Sequence, residues 1–169
     1  MATQRHRIQH GAGLTLVELT VAVCVLGIAF IGQAQYRYYA TLDARDALMR
    51  NGAARVALLF CETWRAAGGT DAFSPVNHFG SCLAVTACSA AVRESWQPPE
   101  GFTLSGAYEV TLDGNTYQAG LSRKQMTGTL RALNVTVRWV PRYPNEPGPN
   151  GTGKSYQLTT YAASMEGWN

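Results

Sequence analysis

The spacing of apolar positions changes period along the chain, and each period predicts an element. Residues 1–13 (MATQRHRIQHGAG) are polar and basic, with Arg5 and Arg7 and no acid. From Leu14 to Gly32 the chain reads LTLVELTVAVCVLGIAFIG, 19 residues with one charge, Glu18. As a helix that run spans about 28 Å, close to the hydrocarbon thickness of a bilayer. A basic flank before an apolar span predicts that the amino-terminal side stays in the cytoplasm. From Gln33 the chain turns polar but keeps helical spacing. Tyr39, Leu42, Met49, Val56, Phe60 and Trp64 step by 3, 7, 7, 4 and 4 and trace one face. Asp46 interrupts that stripe and is spaced to pair with Arg50. No Pro occurs before Pro75, and Gly68-Gly69 supplies a stop. The pattern predicts one helix from Leu14 to Ala67, about 80 Å long. Gly27, Gly32 and Gly52 read as points of close helix packing.

Past Gly69 comes a loop-like stretch carrying Cys82 and Cys88, and then the period becomes two. Tyr108, Val110 and Leu112 alternate with Glu109 and Thr111. Asp113-Gly114 is a hairpin signal, and Tyr117, Ala119 and Leu121 alternate on the return. Leu133, Val135, Val137 and Trp139 alternate with Asn134, Thr136 and Arg138. A Pro/Gly-rich loop follows from Pro141 to Gly153, and Gln157 to Tyr161 reads as a last strand. The predicted class is α+β: a long amino-terminal helix, its first half transmembrane, packed by its second half on a small antiparallel β-meander. Four regions follow: a leader (1–13), a membrane or filament-core half of the helix (14–32), an amphipathic half (33–69) and a soluble β domain (70–169).

Composition removes several function classes. With 169 residues, 46% apolar and 15% charged, the chain can bury a core and is not a disordered segment. A net charge of +3, from 14 basic and 11 acidic residues, does not by itself mark a nucleic-acid binder. Three His and no Cys-x-x-Cys argue against zinc. Asp71 and Asp113 form no calcium-loop pattern. His78 is the one His outside the leader, and no Ser/His/Asp group can be assembled. The expectation is no catalytic residue, no metal, no cofactor and a non-enzymatic role.

The apolar run has two simpler readings. It is long for a cleaved secretory signal, has a Glu near its start and lacks a clear Ala-x-Ala site. A lipoprotein signal at Cys24 meets a bulky Val23. Glu18 is the informative residue, because a carboxylate in a membrane span needs a partner or a purpose. Locally, Thr15 and Glu18 have the Thr-x-x-Glu spacing of a capping box, which satisfies backbone donors at a helix start.

The segment Gly13, Leu14, Thr15, Leu16, Val17, Glu18 and Leu19, behind its basic leader, resembles the amino terminus of type IV pilins and type II secretion pseudopilins. The family pattern is a short basic leader ending in Gly, an apolar residue, Thr-Leu-hydrophobic-Glu, then a long apolar helix. Leu14 stands where Phe is usual. Leu26 to Gln35 and Ala57 to Ala66 resemble V-type minor pilins and I-type pseudopilins, and the mid-span Pro common in major pilins is absent. The resemblance implies that a prepilin peptidase cuts after Gly13 and methylates the new amino group of Leu14. It implies that Glu18 pairs with the terminal ammonium of a neighbouring subunit during assembly. It also implies other pilin or pseudopilin subunits, an inner-membrane assembly platform and an assembly ATPase as partners, with the soluble part outside the cytoplasm. A membrane-tethered binding module is the alternative: it would use the same helix only as an anchor.

Two further features call for a decision. Cys61, Cys82 and Cys88 allow three single bridges; the local Cys82–Cys88 pair is favoured, and Cys24 in the span stays reduced. Gly148 to Ser155, GPNGTGKS, fits the phosphate-loop pattern, which requires a helix beginning at its Lys-Ser. Here YQLTTYAAS follows, with strand-forming Thr and Tyr, so a nucleotide site is refused. Arg142, Tyr143 and Lys154 put basic and aromatic groups in one loop, as DNA- or sugar-binding surfaces do; a solvated loop is the favoured reading.

Overall fold

The computed structural model describes residues 15–140 and 153–163. Gly13, Leu14, Arg142, Tyr143 and residues 148–152 of the phosphate-loop match lie outside the described residues. Two compact units divide the chain, Met1–Ala44 and Arg45–Asn169.

Helix α1 runs from Leu16 to Ala66, 51 residues, or about 76 Å. Its end is set by Gly68 and Gly69, with φ of 72° and 63°. The Gly69 amide donates to the Trp64 carbonyl at 2.9 Å, and the Gly68 amide to the Arg65 carbonyl at 2.9 Å. This pair of bonds is a Schellman motif, which satisfies carbonyls the helix leaves open. The expected helix and its expected stop agree with the structure.

Five strands form one antiparallel sheet in chain order: β1 (Ala84–Ala87), β2 (Thr103–Leu112), β3 (Asn115–Gln125), β4 (Leu130–Trp139) and β5 (Lys154–Ala163). Asp113 and Gly114, with φ of 51° and 73°, make the two-residue turn between β2 and β3. Positive φ at both positions is what matches a tight hairpin to strand twist. One face of the sheet carries Val110, Tyr117, Ala119, Leu121, Leu133, Val135 and Val137, all buried against Ala53, Val56, Ala57, Phe60, Cys61 and Trp64 of α1. The α+β meander on the second half of the helix is therefore the observed fold.

The stretch after Gly69 is more structured than its sequence signals suggest. It contains α2 (Pro75–Phe79), β1 and α3 (Ala90–Glu94). Each is four or five residues long, too short for periodicity to register. Phe79 stacks on Phe60 at 5.3 Å, and Phe73 stacks on Trp64 at 6.2 Å, so this segment extends the core.

The opposite sheet face is also covered. Trp96 is 5% exposed and lies across Gly120, where a Cβ would come within 2.0 Å of the indole. The Arg138 guanidinium lies over that indole, 4.3 Å from the ring centre. On the same face Asn134, expected to be polar and solvent-facing, is fully buried. Its amide donates to the Thr159 hydroxyl at 2.9 Å, and its carbonyl accepts from Thr136 at 3.0 Å and Ser122 at 3.4 Å.

Candidate functional site

The amino-terminal end of α1 is built by two residues. The Thr15 amide donates to Glu18 Oε2 at 2.8 Å, and the Thr15 hydroxyl donates to the same oxygen at 2.9 Å. In return the Glu18 amide donates to Thr15 Oγ1 at 3.3 Å. This is the reciprocal capping box that the Thr-x-x-Glu spacing predicts. It places the carboxylate on the first turn, where the helix dipole favours negative charge.

The helix surface that follows has no partner among the described residues. The large apolar side chains from Leu16 to Ile31 are exposed on every azimuth, with Leu16 at 79% and Ile28 at 71%. An 18-residue window of α1 has a mean hydropathy of 2.1 and none of it is buried. Length and composition are compatible with a single-pass membrane anchor. The glycines divide along the same line. Around Gly27 and Gly32 nothing lies within 4 Å of a Cβ position, whereas at Gly52 the Tyr117 hydroxyl lies 2.1 Å away. Gly52 is thus a packing site for the sheet, and Gly27 and Gly32 are open surface. Tyr36, Tyr38 and Tyr39 are exposed immediately beyond the apolar run. Their sequence signal is an aromatic cluster at the end of an apolar span, whereas helical periodicity marks Tyr39 alone.

Two expected pairings are corrected. Asp46 pairs with Lys154, not with Arg50: Lys154 Nζ lies 2.8 Å from Asp46 Oδ1. The partner comes from across the fold because β5 starts beside this turn of the helix. Lys154 and Ser155 open strand β5, so the helix that a phosphate loop requires is not formed there. The second correction is the Cys82–Cys88 bridge. All four cysteines are free, with Cys82 exposed and Cys88 half-buried. Strand β1 lies between the two, and its extension alone covers about 10 Å, more than the Cα separation a disulfide tolerates. Closeness in sequence is cancelled by extended backbone.

Cys61 is buried, and its thiol faces the Leu158 carbonyl at 3.9 Å. Burial pushes it up to about 12, with Glu62 adding and Arg65 opposing. Such a thiol is a small core residue, not a nucleophile. A surface groove of about 360 Å³ is lined by Arg55, Leu58, Leu59, Glu62, Leu83 and Leu112, with no convergent acid–base pair. No group of three or more His, Cys, Asp or Glu that could hold a metal occurs among the described residues.

No family model, curated protein or solved structure matches the chain.

Proposed function

We propose that this chain is a structural subunit of the type IV pilin kind, a minor pilin or pseudopilin. It is cleaved after Gly13, stored in the bacterial inner membrane and assembled into a pilus or a secretion pseudopilus. The observation that carries the reading is the capped start of α1: a carboxylate held on the first turn of a helix whose next four turns expose apolar side chains all round. An anchor needs only the apolar surface. The carboxylate gains a purpose once cleavage makes a positive amino terminus at Leu14, because an ammonium placed among apolar helices needs a neighbour of opposite charge. Both Thr15 bonds go to Oε2, which leaves Oε1 to accept from the Leu14 ammonium of the next subunit. Prepilin peptidase, sister subunits, and the inner-membrane platform with its ATPase are the partners of this reading. The β domain lies outside the cytoplasm.

Intact mass and amino-terminal sequencing of the protein from native membranes test this. A chain beginning at Leu14 and heavier by one methyl group is expected. A chain beginning at Met1 or Ala2 overturns processing and leaves a tethered binding module. A start near Gln35 means secretion and removes the role given to Glu18.

A further inference from the structure

A second feature of α1 concerns where along its length the apolar surface ends. Residues 19–42 contain one charge, Arg37, which lies within the run Tyr36-Arg37-Tyr38-Tyr39. Successive residues of a helix are rotated by about 100°. Tyr36, Arg37, Tyr38 and Tyr39 therefore point in four directions that together encircle the axis. The three tyrosines are 74%, 59% and 64% exposed, and Tyr38 and Tyr39 meet edge to face at 5.7 Å. A protein partner on one side would account for one or two of these azimuths. A complete ring suits a partner that surrounds the helix.

Length identifies that partner. From Leu16 to Gln35 the helix rises about 29 Å, against about 30 Å for a hydrocarbon core. With Leu16 at one boundary of the apolar layer, the ring falls in the headgroup layer of the other. Tyrosine suits that layer because its ring is apolar and its hydroxyl is wet, and the Arg37 guanidinium reaches lipid phosphate. The same placement puts Glu18 about 3 Å inside the opposite boundary, within a side chain's length of water. Asp43, Arg45 and Asp46 follow just outside.

We propose that Tyr36, Arg37, Tyr38 and Tyr39 form an interfacial collar that fixes the depth of the membrane-stored chain, with lipid headgroups as its partner. This rests on the membrane-spanning part of the function proposed above. The full chain is reconstituted at a high lipid-to-protein ratio in phosphatidylethanolamine–phosphatidylglycerol vesicles. It carries Ile31→Cys with a nitroxide, and alanine replaces the native cysteines. Collision with oxygen and with a water-soluble nickel complex reads the depth of the label. Replacing all three tyrosines by Ala is expected to shift the label by about 3–5 Å, two to three residues of helix rise. Replacing them by Trp is expected to leave it in place. An unchanged depth in the Ala variant overturns the collar while leaving the span intact. A label exposed to the nickel complex throughout, in the parent chain, overturns the span itself. Dipolar broadening at this dilution means that a second copy, not lipid, covers the ring, and also overturns the proposal.

Discussion

Asn134 sits in a strand whose alternation marks it as solvent-facing, yet it is fully buried. Its amide and carbonyl meet three hydroxyls within the sheet face, so the cost of burial is met by hydrogen bonds. Asn134→Leu should leave Ser122, Thr136 and Thr159 without their partner and destabilise the fold by about 1–3 kcal/mol. Thermal unfolding of the full chain in detergent measures this; a neutral change would mean that the network is not closed to water. On the same sheet face Gly120 makes room for Trp96, which is 5% exposed. Gly120→Ala should expel the indole, with a red-shifted Trp emission and a loss of about 2–4 kcal/mol. Cys61 makes an alkaline prediction. Its thiol is raised from 9.0 to about 12 in the folded chain. Above pH 9 the unfolded chain releases this proton while the folded chain keeps it, so stability falls as pH rises towards 12. Below pH 9 both states hold the proton and the contribution is complete. Burial also raises Tyr108 and Tyr117 above their ordinary 10, which steepens the same fall at higher pH. Cys61→Ala should flatten the part of the curve nearest pH 9; an unaltered slope would assign the whole effect to the tyrosines.

At the scale of elements, the two ends of α1 were legible in advance because both are local. A Thr-x-x-Glu pair and a Gly-Gly pair act within one turn, and the structure forms the bonds each implies. The two glycines differ in a way the sequence does not reveal. Around Gly68 a Cβ would meet only a methyl of Thr70 at 3.8 Å, whereas at Gly69 it would press on Ala162 and Leu133 at 3.2 Å. Gly68→Ala should cost about 1–2 kcal/mol, the penalty of left-handed backbone. Gly69→Ala should cost more, since packing against β4 and β5 adds to the same penalty. Equal unfolding temperatures for the two variants would refute that ranking. The short elements between Gly69 and β2 escaped sequence reading for the opposite reason. Their shape comes from aromatic contacts to α1 more than ten residues away, such as Phe79 on Phe60, and not from their own period.

At the scale of the whole molecule, helix α1 supplies residues to both compact units, and cysteine chemistry can report on each. With no bridge formed, four thiols should be alkylated after denaturation without reductant. In intact membranes a charged maleimide should reach Cys82 and leave Cys24 and Cys61 unmodified, since Cys82 is exposed, Cys61 is buried in the core and Cys24 lies in the proposed membrane span. Labelling of Cys24 would place the span in water. Finding only two thiols, with a peptide linking Cys82 to Cys88, would require β1 to leave the sheet.

What the sequence determined by itself was everything that acts over a few residues. That set includes the capped start and glycine stop of the helix, its apolar first half, the Asp113-Gly114 turn and the alternation of β2, β3 and β4. Each depends on backbone geometry and nearest neighbours, which the order of residues already contains. Only the tertiary structure decided the rest: Lys154 reaching Asp46, Tyr117 closing over Gly52, Trp96 covering Gly120, and Cys82 held apart from Cys88. These outcomes follow from which distant surfaces meet and how extended the backbone is between them, and chain order does not encode either distance directly.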